Sequence, residues 1–188
     1  AMPHMLLSDL DLMRVVETYG SDVAQDGETI GEVVMRGNNV MKEYFDQPDA
    51  TAEAFRQGYF HSGDLAVWHP DGSVELRDRQ KDIIISGGEN ISTIEVEQTV
   101  VSHPDVLECA VVAIPHEKWG ERPKAFAMLK EDSTVSEDEL IIYCRERLAH
   151  FKCPDAIEFG PVPKTSTGKV QKFVLREKEW EGRDKRIN

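Results

Sequence analysis

Long apolar runs are missing from this sequence. No stretch approaches the roughly 20 consecutive apolar residues that span a bilayer, and no secretory signal is visible. Cysteine is scarce: three residues in 188, odd in number and scattered. That excludes a disulfide framework and leaves reduced thiols as the expectation. The six histidines form no pair at metal-ligand spacing, so no metal site is expected. Basic charge is in deficit, with 22 Lys and Arg against 35 Asp and Glu and a net charge of −13. Such a balance speaks against general binding to nucleic acid, which needs a basic footprint, and against anionic membrane surfaces. Acidity of this kind serves solubility. Internal repeats and low-complexity tracts are also absent, and a cytoplasmic location is the expectation.

What is present is alternating strand and helix patterning. Residues 30–37 (I-G-E-V-V-M-R-G) alternate as a strand, and residues 48–55 read as a short helix. Residues 65–69 and 73–77 form two strands around Pro70-Asp71-Gly72, a strong turn signal. After Lys81 the pattern changes. Residues 83–86 make a short apolar strand, and Ser92 with Glu95 has the capping-box spacing of a helix start. Residues 106–114 and 123–130 read as strands. Ser136 and Glu139 repeat the capping box before a helix expected to run to about His150, with an apolar stripe of Leu140, Ile141, Cys144 and Leu148. Residues 155–159 read as a strand and 173–180 as a helix. The fold class expected is α+β: a small C-terminal domain with a central, mainly antiparallel sheet packed by helices, preceded by a strand-rich segment. Residues 1–79 and 80–188 are the expected domains. The opening A-M-P-H-M (residues 1–5) reads as a cloning remnant.

Four segments could carry chemistry. In residues 163–172, P-K-T-S-T-G-K-V-Q-K, Lys169 follows Gly168 on a polar loop. Glycine frees the backbone there, and a lysine head suits a phosphate or carboxylate; plain surface charge is the alternative. In Y-F-H-S-G-D (residues 59–64), Asp64 could accept two hydrogen bonds from a ribose diol, or be a turn aspartate. In D-R-Q-K-D (residues 78–82), Arg79 could contact a nucleotide through its fork of donors, or simply belong with Lys81 to a charged linker. In I-S-G-G-E-N-I (residues 85–91), Gly87-Gly88 could mark close approach of a thin ligand, or a tight turn.

These four motifs, in this order, resemble the C-terminal portion of adenylate-forming ligases, specifically the acyl-CoA synthetase branch. The resemblance covers roughly residues 30–180 and implies the following. Lys169 matches the family's catalytic lysine, Asp64 the aspartate that holds the ribose hydroxyls of ATP, and Arg79 a nucleotide contact. Lys81 matches the hinge between a large N-terminal and a small mobile C-terminal domain. Residues 1–79 would then be the strand-rich end of the large domain. Ser86, Gly87 and Gly88 would line the CoA tunnel, with Trp119, Phe151 and Lys152 near its nucleotide end. Some relatives carry basic residues where this chain has Cys153 and Asp155. ATP and CoA would be substrates, with Mg2+ arriving on ATP but no protein ligand for it in this chain. The acid would be a fatty or aryl carboxylic acid. The family's Ser/Thr/Gly-rich phosphate loop is not found here, so the rest of the large domain is expected to be missing and the piece inactive alone. An adenylation domain loading a carrier protein uses the same motifs, and a non-catalytic interaction module is the reading of another class.

Overall fold

The computed structural model describes residues 13–182; the opening segment read as a cloning remnant lies outside them. The described residues divide into two compact units, with the division between Gln80 and Lys81.

The first unit is a four-stranded antiparallel sheet in the order β1-β2-β3-β4: β1 (Met13–Val16), β2 (Ile30–Met35), β3 (Phe60–Trp68) and β4 (Val74–Arg79). A short helix, α1 (Pro48–Ala54), lies between β2 and β3 in sequence and starts on Pro48, whose fixed φ suits a first helical turn. Val15, Val23, Val33, Ala66 and Trp68 form a buried cluster, with Met13, Met35 and Val74 packed against it. The turn between β3 and β4 follows its sequence signal. The Asp71 carboxylate accepts from Ser73 N at 2.9 Å, and His69 N donates to Ser73 O at 2.9 Å. One expectation needs correction: β3 begins at Phe60, five residues before the predicted start, so the whole Y-F-H-S-G-D motif beyond Tyr59 lies within a strand. β1 was not anticipated at all, being only four residues long.

The second unit is a mixed sheet with helices on both faces. Its strands are β5 (Ile84–Ser86), β6 (Glu89–Ile91), β7 (Val106–His116), β8 (Gly120–Leu129) and β9 (Ala156–Phe159), ordered β6-β5-β8-β7 with β9 pairing β8. All pairs are antiparallel except β8 with β9. The helices are α2 (Thr93–Val101), α3 (Glu137–Arg145) and α4 (Lys172–Trp180). Strand residues alternate between two cores, as a period of two requires. Cys109, Val111 and Ala113 of β7 point to one face, where they pack with Ile84, Ile91, Val96, Val100, Leu140, Ile141 and Cys144. Ala110 and Val112 point to the other, with Phe126, Val162 and Leu175 of α4.

Both capping signals are honoured. Ser92 accepts from Glu95 N, and Ser136 and Glu139 complete a reciprocal capping box. α3, however, ends at Arg145, five residues before the expected end. Arg147 N and Leu148 N both turn back onto Cys144 O, tightening the last turn, and Ala149 then adopts φ −58°, ψ 141°, which is not helical. Leu148 still packs on the core, so its apolar spacing was real while its helix was not.

Candidate functional site

Asp64 and Arg79 are directly opposed residues of β3 and β4. Arg79 Nε lies 3.1 Å from Asp64 Oδ1, with the two side chains 48% and 32% exposed. A carboxylate acceptor and a guanidinium donor are therefore presented side by side, both within reach of a ligand. Beneath them is a residue that the sequence reading missed. The Glu32 carboxylate accepts from Gly63 N at 3.0 Å, from Arg56 Nη2 at 2.9 Å, and meets His61 Nδ1 at 2.6 Å. It braces the strand just before Asp64, where the register with β2 shifts; the register with β4 shifts just after, between Leu65 and Ala66. A lone acid in an otherwise apolar strand, flanked by Gly31 and Val33, was the available signal.

Lys169 sits on a tight loop closed at its base. Thr165 N donates to Lys169 O at 2.8 Å, Gly168 N to Thr165 O at 2.9 Å, and Lys169 N to Thr165 Oγ1 at 3.1 Å. Gly168 has φ +83°, the left-handed conformation that a glycine supplies without strain. The motif holds three lysines, and their surroundings separate them. Lys164 pairs with Glu108 of β7 at 2.8 Å. Lys172 is half-buried at the start of α4, with Nζ 2.7 Å from Glu97 Oε1 and 2.8 Å from Thr93 Oγ1. Lys169 is exposed, and among the described residues no carboxylate is paired with it. The two flanking lysines anchor the loop, and the central one is offered to an anion.

Gly87 and Gly88 form the turn of the β5–β6 hairpin, with φ +60° and +93°. Both central positions of such a turn require positive φ, which is why glycine occupies them. Trp119 lies over this turn: a Cβ added at Gly87 would fall 2.7 Å from Trp119 Cε3, and Gly87 N donates to Trp119 O at 2.8 Å. Lys118 Nζ stands 4.3 Å from the centre of the indole ring. Ser86 is buried beside the turn, and Phe151 is partly exposed. Lys152 is less available than the sequence suggested, because Glu95 of α2 holds its ammonium at 2.7 and 2.8 Å. Two further residues were missed. Glu121 of β8 is wholly buried, and its carboxylate accepts from Ile85 N at 3.0 Å. Arg122, next to it, reaches Ser86, Phe151, Cys153 and Asp155. Charged residues inside a strand were the signal for both.

Lys81 is the first residue of the second unit and belongs to a single 3-10 turn, Gln80–Asp82. Asp82 makes a close ion pair with Arg176 of α4, both nearly buried. The turn is therefore tied to the helix that follows the Lys169 loop.

Within the second unit the lysine loop and the glycine turn lie far apart. The base of the lysine loop pairs with Glu108, which opposes Met128 near one end of β8. The glycine turn pairs at Gly120, the other end. Eight residues of strand separate these positions, about 26 Å at 3.3 Å per residue.

Residues 95–169, ending on that lysine, match the family described as AMP-binding enzyme C-terminal domain. The chain carries an AMP-binding enzyme C-terminal domain. Sequence relatives include CoA ligases. The 4-hydroxybutyrate–CoA ligase 2 of Metallosphaera sedula is 54% identical over 164 residues, covering 87% of this chain and 30% of the relative. The peroxisomal acetate/butyrate–CoA ligase AAE7 of Arabidopsis thaliana is 49% identical over 178 residues, covering 92% of this chain and 31% of the relative. Structural neighbours are adenylate-forming enzymes. ATP-bound MatB from Rhodopseudomonas palustris matches with a TM-score of 0.84 and 33% identity, over 90% of this chain and 34% of that one. The o-succinylbenzoate CoA synthetase of Bacillus subtilis, in complex with its acyl-adenylate intermediate, matches with a TM-score of 0.78 and 35% identity, over 87% and 33%. The AMP-binding C-terminal domain and the segment before it thus span about 30% of the length of the curated relatives. Among the described residues no helix is long and apolar enough to cross a membrane, and no cluster of three metal-ligating side chains occurs.

Proposed function

We propose that this chain is the C-terminal part of an ATP-dependent, AMP-forming acyl-CoA synthetase. In the first half-reaction a carboxylate oxygen attacks the α-phosphorus of ATP. A P–O bond forms, and the bond to pyrophosphate breaks. Two anions must meet, and the Lys169 ammonium offsets their repulsion and stabilises charge on the phosphoryl oxygens. Asp64 accepts from the ribose hydroxyls, and Arg79 holds the nucleotide beside it. No protein nucleophile is needed, because the acid itself attacks. In the second half-reaction the CoA thiol loses its proton and attacks the adenylate carbonyl. A C–S bond forms, the acyl C–O bond to the phosphate of AMP breaks, AMP leaves, and the thiol proton passes to solvent. Ser86, Gly87 and Gly88 line the thiol's approach, and Trp119, Phe151 and Lys152 lie towards its nucleotide end.

The observation that carries this reading is the separation of the lysine loop from the glycine turn by about 26 Å along one strand. Two elements so placed on one rigid sheet do not reach the same carbonyl carbon together. A domain presented first by one end and then by the other, turning about Lys81, uses both. Mg2+ would accompany ATP. The names of the relatives, which give 4-hydroxybutyrate, acetate and butyrate, support a short aliphatic acid over the fatty or aryl acids first expected. Three unpaired, buried cysteines fit a reducing compartment; the cytoplasm remains our reading, while AAE7 is named as peroxisomal.

The test is carboxylate-dependent ATP–pyrophosphate exchange with acids from acetate to butyrate, longer fatty acids and aryl acids. It is run on this chain and on a version extended N-terminally through a complete adenylation domain. Exchange is expected only in the extended protein, and Lys169→Ala should lower it by about 100- to 1000-fold. Undiminished exchange in that variant would remove Lys169 from the mechanism. Exchange without thioester formation from CoA would point to a carrier-protein thiol as acceptor.

A further inference from the structure

Arg122 joins every segment assigned above to the CoA-facing end of the sheet except the indole, and it has no assigned role. Its Nε and Nη2 donate to Asp155 Oδ1 at 2.9 and 2.7 Å, a forked pair on one carboxylate oxygen. Nη2 also donates to Cys153 O at 3.1 Å, and Nη1 donates to Phe151 O and, at 3.4 Å, to Ser86 Oγ. The side chain is only 11% exposed. All three guanidinium nitrogens are occupied, so Arg122 is not free to take a phosphate itself. Its partners come from two stretches that no strand pairing joins. One is β5, whose end carries the Gly87-Gly88 turn and which pairs with β8 at a single position, Ser86 with Gly120. The other is the 3-10 turn His150–Lys152 and the loop after it, which present Phe151 and Lys152. Between the short β5 contact and the β9 ladder, which starts at Lys124, that edge of β8 has no strand partner among the described residues. Arg122 fills that gap from within β8.

We propose that Arg122 is a positioning residue for the thioester-forming half-reaction: with Asp155 it fixes the Phe151–Lys152 turn against the Ser86-Gly87-Gly88 hairpin. This rests on the proposed function and deepens its second step. A planar fork is needed. Lysine keeps the charge, but its three donors sit on one nitrogen and do not span four backbone and side-chain acceptors at once. Misplacement of a binding element by an ångström can cost up to about 100-fold in rate. The Lys169 loop is anchored elsewhere, by Lys164 on Glu108 near the other end of the β7–β8 ladder and by Lys172 on Glu97 of α2, so the first half-reaction is insulated from the change.

The experiment compares Arg122→Lys and Asp155→Asn with the unsubstituted enzyme, in the protein that includes a complete adenylation domain. ATP–pyrophosphate exchange and CoA thioester formation are measured separately, with thermal midpoints in parallel. The expected result is a KM for CoA raised about 10-fold or more by Arg122→Lys, a smaller rise in Asp155→Asn, and exchange within about twofold of the unsubstituted enzyme. An unchanged KM for CoA in both variants overturns the proposal while leaving the ligase reading intact. So does a proportional loss of both half-reactions, which would make Arg122 a general stabiliser of the fold. If the unsubstituted enzyme exchanges pyrophosphate but transfers nothing to CoA, the assigned second step fails and takes the proposal with it.

Discussion

Three lysines within nine residues differ in what their neighbours leave them to do. Lys164 and Lys172 are tied to Glu108 and Glu97, and only Lys169 carries its charge outward from a loop closed by Thr165 and Gly168. Gly87 shows the same logic for space. Its φ of +60° and the 2.7 Å approach of an added Cβ to Trp119 leave no room for a side chain. Gly87→Ala should therefore cost about 1–2 kcal/mol in backbone strain and push the indole outward. A shift in tryptophan emission that disappears in a Trp119→Phe background would show it. No shift, with unchanged stability, would mean that the turn relaxes more easily than its geometry implies.

At the scale of elements, short strands and helix ends depended on partners. β6 is three residues, Glu-Asn-Ile, of which only Ile91 favours a strand; pairing with β5 across the glycine turn makes it a strand. α2 and α3 were legible because capping needs only a serine and the third residue after it. The end of α3 was not, because Leu148 reaches the same core from a non-helical turn. Leu140, fully buried on α3, packs in the larger cluster of the second unit. Leu140→Ala should destabilise that unit by about 2–5 kcal/mol, read as a lowered urea midpoint with an unchanged slope. A loss below about 1 kcal/mol would show that α3 packs more loosely than described.

At the scale of the whole molecule, the second unit contains two cores of its own, on opposite faces of one sheet. Residues 81–188 alone should fold cooperatively, and their stability should depend on alkaline pH through the thiols. Burial pushes Cys144 up from its ordinary 9 to about 11 and raises Cys109 as well. The folded state thus keeps protons that the unfolded chain releases near pH 9. Stability should be full below about pH 9 and fall as pH rises towards about 11, followed by urea unfolding across that range. The fall should be smaller in a Cys144→Ala variant, which keeps the buried Cys109, and a midpoint flat to pH 11 in the unsubstituted protein would show that the thiols titrate unshifted.

The α+β class, the strong turn at Pro70-Asp71-Gly72, both capping boxes and the four motif segments were determined by the sequence alone. They rest on local rules: a serine that caps, a proline and glycine that turn the chain, an apolar residue at every second or fourth position. The tertiary structure decided which charges are spent and which are offered. By its sequence Lys152 is available to the nucleotide end of CoA, yet Glu95 of a distant helix holds it; Arg122, which no motif marks, joins two stretches 36 and 33 residues away. Pairing of that kind depends on which elements the packed core brings within 3 Å, and no spacing along the chain records it.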